Sequence, residues 1–193
     1  VDHVIEQANP GNSISLIDAY CGGGLFCLSA SRRFQKVVGI EISREGFEGA
    51  RTNALLNQIK NAEFFLGDAS SIFQELQNLS RPCSLIVDPP RKGCNADFLR
   101  QCIEFRPNRI VYVSCDPATQ ARDAKILTEG GYRILQAQPF DLFPHARHMF
   151  NVPRLWNDIK GLSVEIAICA FGGDVCGACG GGWVVRGGLS GGR

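Results

Sequence analysis

The sequence predicts an α/β fold, a mostly parallel sheet with helices on both of its faces. Three observations predict it. Short apolar runs rich in Val, Ile and Leu alternate with segments of helical spacing. Two of these runs, Ser84–Val87 and Arg109–Tyr112, show no polar alternation, which marks strands buried on both faces. Directly after them stand Asp88-Pro89-Pro90-Arg91-Lys92-Gly93 and Val113-Ser114-Cys115-Asp116-Pro117. Both strings therefore fall at strand C-termini, the edge of an open α/β sheet where ligands bind.

Taken in order, about one helix precedes a first strand at Ser15–Cys21. Further strands are expected near Lys36–Ile42, Ala62–Gly67, Ser84–Asp88, Arg109–Ser114 and Tyr132–Gln138. Helices fill the gaps near Leu25–Arg33, Arg44–Gln58, Ala69–Leu79, Ala96–Phe105 and Pro117–Glu129. The second of these carries Phe47, Ala50, Ala54 and Leu55 on one face, with Arg51 and Asn57 on the other. Such alternation implies βαβ units with right-handed crossovers. After Phe143 the order breaks. Phe150–Ser163 has no clear period, and Val164–Phe171 reads as a final strand. The expected domain therefore covers residues 1–171, with an insertion at 150–163. Residues 172–193 are so rich in glycine that a disordered tail is expected.

The chain has 193 residues, 45% of them hydrophobic and 20% charged, with a net charge of +1. That is enough for one domain with a sizeable core and gives no global pull toward nucleic acid, so any RNA contact must be local. No apolar stretch approaches the roughly 20 residues of a membrane span, and the start Val1-Asp2-His3 has no signal-peptide core. Nine cysteines, scattered mostly through expected strands and helices, suggest reduced thiols and a cytoplasmic setting. Cys176 and Cys179 form a CxxC with no second ligand pair at suitable spacing, so no metal is expected. A monomer is expected.

One end of the sheet edge reads as a cofactor site. Asp18-Ala19-Tyr20-Cys21-Gly22-Gly23-Gly24 leads from the first strand into a helix, and its glycines let the backbone pass close under a ligand. A dinucleotide fingerprint would need a third glycine where Cys27 stands. Glu41 ends the second strand, suited to two ribose hydroxyls, and Asp68 ends the third, suited to an adenine edge. An acidic residue after strand two fits NAD and S-adenosylmethionine alike. Carboxylates around a site favour the cationic methyl donor over a pyrophosphate.

The other end reads as a reaction site. Asp88-Pro89-Pro90 is similar to the [DN]-P-P-[YF] string of amino-group methyltransferases, but Arg91 replaces the stacking aromatic. Arg91 and Lys92 suit phosphate or base contacts. Cys115 has no CxxC partner and precedes a helix, whose N-terminal dipole is expected to favour the thiolate. Cys27, Cys83 and Cys102 read as structural.

The segment Val1–Phe143 resembles the catalytic domain of the RNA uracil-5-methyltransferases. The matching strings are Asp18–Gly24, Gly39-Ile40-Glu41-Ile42, Asp88–Gly93, Ser114-Cys115-Asp116-Pro117 and Phe140-Asp141-Leu142-Phe143-Pro144-His145. The resemblance implies a Rossmann-like S-adenosylmethionine-dependent methyltransferase fold with a seven-stranded sheet. It implies cofactor contacts at Tyr20, Gly22, Gly24, Leu25, Glu41, Asp68 and Asp88, substrate contacts at Arg91 and Lys92, and Cys115 as nucleophile. RNA, tRNA above all, is the implied partner, with the target base flipped from its stack.

The resemblance also implies a glutamate base close behind the Phe-Pro-His loop. In register with that pattern, the position after His148-Met149 is Phe150. Glu165, in Val164-Glu165-Ile166, is taken as the displaced base, and residues 150–163 as foreign to the fold. The alternative is a remnant that binds cofactor or RNA without completing the reaction. The family carries further sequence upstream, so the chain reads as a C-terminal catalytic fragment.

Overall fold

A computed structural model describes residues 1–140 and 150–157, apart from 10, 12, 13, 70–72, 74, 75 and 77. Helix α1 (Asp2–Ala8) precedes strand β1 (Ser15–Asp18). Then follow α2 (Leu25–Ala30), β2 (Lys36–Glu41), α3 (Arg44–Leu56) and β3 (Ala62–Leu66). The second half comprises β4 (Cys83–Val87), α4 (Ala96–Phe105), β5 (Arg109–Tyr112), α5 (Pro117–Glu129), β6 (Tyr132–Phe140) and β7 (Phe150–Asn157). The helix expected at Ala69–Leu79 is only partly described, but Ala69, Phe73, Leu76 and Leu79 are buried at helical spacing.

The strands form one sheet in the order β3-β2-β1-β4-β5-β7-β6. Strands β1 to β5 pair in parallel, as the apolar runs predicted. Alternate residues point to opposite faces and build two cores. Ile17, Leu85 and Ile110 pack with Phe98 of α4 and Leu127 of α5. Leu16, Ile86 and Val111 pack with Val4 of α1, Phe26 of α2 and Ala50 of α3. Each such Leu or Ile contributes about 1.5–3 kcal/mol on burial. Helix α1 is fixed at its C-terminal end, where Ser84 Oγ donates to Ala8 O at 2.6 Å and Arg109 Nη1 to Gln7 O at 2.9 Å.

The closing strand corrects the sequence reading. Phe150–Asn157, taken as an insertion, is β7, antiparallel to both β5 and β6. Pro153 had hidden it, since a proline cannot donate to a ladder. Its position resolves the conflict: β5 pairs with β7 only at Trp156, Leu155 and Arg154, so Pro153 lies just past that ladder. The expected strand at 164–171 and the glycine-rich tail lie outside the described residues.

Candidate active site

The site edge is built from the ends of β1, β2, β3, β4 and β5. After β1 the chain turns through Gly22 and Gly24, with φ of +51° and +93°, a region that favours glycine. Glu41 at the end of β2 holds this turn: Oε2 accepts the Gly22 amide at 2.8 Å and Oε1 the Ser43 amide at 2.7 Å. A carboxylate offers about four lone-pair sites, so each oxygen keeps one for a ligand. Asn53, reaching over from α3, donates through Nδ2 to Gly23 O at 2.9 Å. Asp68 is exposed and follows Gly67, whose amide donates to Glu41 O at 2.9 Å, so the ends of β2 and β3 stand side by side.

Asp18 is fully buried at the end of β1. Its Oδ2 accepts the Cys27 amide at 3.1 Å, while Oδ1 has no hydrogen-bond partner among the described residues. Burial pushes its pKa up to about 7; the Cys27 amide opposes this, and the nearby Asp88 and Glu41 carboxylates add to it. Burial likewise pushes Asp88 up to about 6. Leu25 and Ile42 are 61% and 66% exposed beside the glycine turn and Glu41. Tyr20 turns toward the core, edge-on to Phe98 with 5.5 Å between ring centroids. The set fits S-adenosylmethionine: an orphaned buried carboxylate oxygen for positive charge, spare lone pairs for a diol, and exposed apolar side chains for a ring.

Beyond β4, Pro90–Gly93 forms a turn closed by the Gly93 amide donating to Pro90 O at 2.8 Å. Arg91 and Lys92 occupy its tip and are exposed. Strands β4 and β5 are neighbours, and the Val113 amide donates to Val87 O at 2.7 Å, which brings the two strings side by side. Ser114 Oγ accepts the Asp116 amide and donates to Asp116 O, both at 3.0 Å, so it brackets Cys115. Asp116 then caps α5, accepting from the Ala118 and Thr119 amides at 2.9 and 3.2 Å. Cys115 is half-buried; Cys21, Cys27, Cys83, Cys94 and Cys102 are buried. Among the described residues no cluster of His, Cys, Asp and Glu could hold a metal ion.

Glu165 lies outside the described residues. Strand β7 starts at the site edge, where Phe150 pairs with Phe140, and ends at the opposite edge, where Asn157 pairs with Tyr132. That is a run of about 23 Å. Glu165 comes eight residues after Asn157, and eight extended residues span at most about 26–29 Å.

Sequence reasoning missed Asn53, Ile42, Thr119, Arg122 and Asp123. Asp123 left a trace, because a carboxylate stands on the stripe formed by Gln120, Ala124 and Leu127.

Residues 1–152 match the family model described as tRNA (Uracil-5-)-methyltransferase. The chain is 44% identical over 149 residues to an uncharacterized RNA methyltransferase of Bacillus cereus, covering 77% of this chain and 32% of that protein. It is 43% identical over 140 residues to the tRNA (uracil(54)-C(5))-methyltransferase of Schizosaccharomyces pombe, covering 70% and 27%. The Pyrococcus abyssi tRNA (uracil-54, C5)-methyltransferase, solved with S-adenosyl-L-homocysteine, superposes with a TM-score of 0.66 at 32% identity, covering 80% of this chain and 36% of that one. An rRNA methylase from Streptococcus thermophilus, at 12% identity and a TM-score of 0.61, shares the fold. The chain spans about a third of the length of the curated relatives it matches.

Proposed function

This chain belongs to the tRNA (uracil-5-)-methyltransferase family, and on that premise we propose that it methylates C5 of a uracil in RNA, tRNA above all, through a transient bond between Cys115 and C6. The observation that carries the proposal is the pairing at the ends of β4 and β5: a half-buried thiol beside a turn that presents two cations.

S-adenosylmethionine supplies the methyl group when bound. Tyr20, Gly22, Gly24, Leu25, Glu41, Asp68 and Asp88 form its proposed contact set, with Asp18 facing its positive charge. Uracil C5 is a poor nucleophile until C6 is attacked. The Cys115 thiolate adds to C6 and pushes the electron pair through C5 to the O4 enolate, which makes C5 nucleophilic. After methylation a base removes the C5 proton, the 5,6 double bond re-forms and the thiolate leaves. Arg91 and Lys92 hold the flipped-out nucleotide by phosphate or base contacts.

The test is mass spectrometry of uridine-containing RNA incubated with the chain and methyl-labelled cofactor. Labelled 5-methyluridine, absent with Cys115→Ser, is the expected result; unlabelled RNA without an RNA–protein adduct would overturn the proposal.

The start of β7 favours a second reading, in which the chain forms the adduct but releases it slowly. Phe150 stands where the family pattern has glutamate, and β7 carries the chain away from the site before Glu165. Accumulation of a slow-migrating adduct separates this reading from rapid turnover.

A further inference from the structure

Outside the carboxylate ring, the described residues hold a buried polar network beside the Arg91–Lys92 turn that the proposed reaction leaves unused. It centres on Asp123, which is 0% exposed. Asp123 Oδ2 accepts the Cys94 amide at 2.7 Å and the Tyr112 hydroxyl at 2.6 Å. Its Oδ1 accepts Arg122 Nε at 2.8 Å. Arg122 in turn donates through Nη2 to Lys92 O at 3.0 Å and Cys94 O at 3.2 Å. Thr119 Oγ1 adds a bond to Arg91 O at 3.0 Å, shared with Asp116 O at 3.2 Å.

Three consecutive features follow from these bonds. The backbone carbonyls of Arg91, Lys92 and Cys94 are all tied to α5, the helix that opens directly after Cys115. The side chains of Arg91 and Lys92 make none of these bonds and stay exposed. The fit leaves no room at Gly93, whose φ is +75°: a Cβ there would sit 2.5 Å from Arg122 Nη2 and 2.6 Å from Asp123 Oδ2. Charge-assisted bonds to a buried carboxylate are strong and directional, so the turn has one orientation relative to α5.

We propose that Asp123 and Arg122 are positioning residues: they clamp the Pro90–Cys94 turn onto α5 and thereby set the spacing between the Arg91 and Lys92 side chains and the Cys115 thiol. The RNA half of this inference rests on the function proposed above. Arg122 is the residue to change, because its side chain is half exposed while Asp123 is buried.

Two measurements on the chain and its Arg122→Ala variant test the clamp. In amide hydrogen exchange without ligand, the Gly93 and Cys94 amides are expected to exchange at least ten times faster in the variant, with β4 and β5 unchanged; unchanged exchange in the turn overturns the clamp. In binding to a uridine-containing RNA hairpin, Arg122→Ala is expected to weaken RNA about tenfold and leave S-adenosylmethionine affinity intact. The loss is expected to vanish in an Arg91→Ala/Lys92→Ala background, because a residue acting through others has no separate effect once they are gone. An additive loss, or an equal loss of cofactor affinity, overturns the positioning role. Arg122→Lys, which reaches only one carbonyl, is expected to rescue partly. If the unsubstituted chain binds no RNA while the exchange contrast holds, the clamp stands, and the RNA role fails together with the proposed function.

Discussion

Glu41 Oε2 accepts the Gly22 amide at 2.8 Å, so the end of β2 braces the turn that leaves β1. The same carboxylate holds Ser43 at the entrance of α3. Glu41→Gln puts an NH2 group against one of these amides and removes the charge. A ligand hydroxyl bonded to that charged carboxylate is worth about 1.5–3 kcal/mol, or roughly 10- to 100-fold in affinity. Titration calorimetry is expected to show S-adenosylmethionine affinity reduced by that factor. A variant that melts earlier yet binds normally would confine Glu41 to a structural role.

Asp18 and Asp88 make the ligand-free chain pH-sensitive. An ordinary aspartate ionises near 3.8, while the folded values are about 7 and about 6. Between those limits these two groups hold more protons in the native state than in the unfolded chain, so their contribution to stability is largest in acid and falls as pH rises from about 4 to about 7. Thermal melts across that window are expected to show the fall, flattened in Asp18→Asn. Cofactor binding runs the other way: a cationic ligand favours ionised carboxylates, so affinity rises from about pH 5.5 to about pH 8 and protons are released on binding. S-adenosylhomocysteine, without the sulfonium charge, is expected to show a weaker trend. A flat pH profile for both ligands would separate these carboxylates from the cofactor.

Cys115→Ser is expected to abolish methyl transfer and the covalent RNA adduct while cofactor affinity stays within about twofold. Among the six described cysteines, Cys115 alone is half-buried and the rest are buried. A thiol-alkylating reagent is therefore expected to reach Cys115 ahead of the other five described cysteines, with activity lost in step with the Cys115 adduct seen by peptide mass spectrometry.

Phe150→Glu places a carboxylate at the first residue of β7, on the site edge. If release of the adduct is slow in the natural chain, this substitution is expected to shorten the adduct's life on a denaturing gel, and Glu165→Gln to change nothing. Stalling by Glu165→Gln would instead identify Glu165 as the base.

Gly93→Ala tests the tight fit of the turn after β4. Positive φ and the approach to the buried Asp123 carboxylate are expected to cost about 1–3 kcal/mol. The melting temperature then drops by several degrees, at about 2–4 °C per kcal/mol.

The parallel half of the sheet was legible because its strands are buried on both faces and carry unbroken apolar runs such as Leu85-Ile86-Val87. Motif spacing gave Glu41, Asp88 and Cys115 because each stands at the end of such a run. Strand β7 was illegible for two local reasons. Pro153 interrupts Phe150–Asn157, and Val164–Phe171 is richer in β-branched and apolar residues. Pairing with β5 and β6 makes Phe150–Asn157 a strand in spite of its proline. Asn53, Arg122 and Asp123 were hidden differently. They act across 28 to 30 residues of sequence, on backbone atoms that no motif displays.

Strand β7 lies between β5 and β6 although it follows both in sequence. Its insertion fixes an order of assembly. During synthesis β5 is an open edge with unpaired amides and carbonyls until residue 157 has left the ribosome, and β6 has no partner at all until then. A nascent form stopped short of Phe150 would expose the very flank that carries Cys115, which makes that interval the one in which a chaperone, or a second unfinished chain, competes with folding.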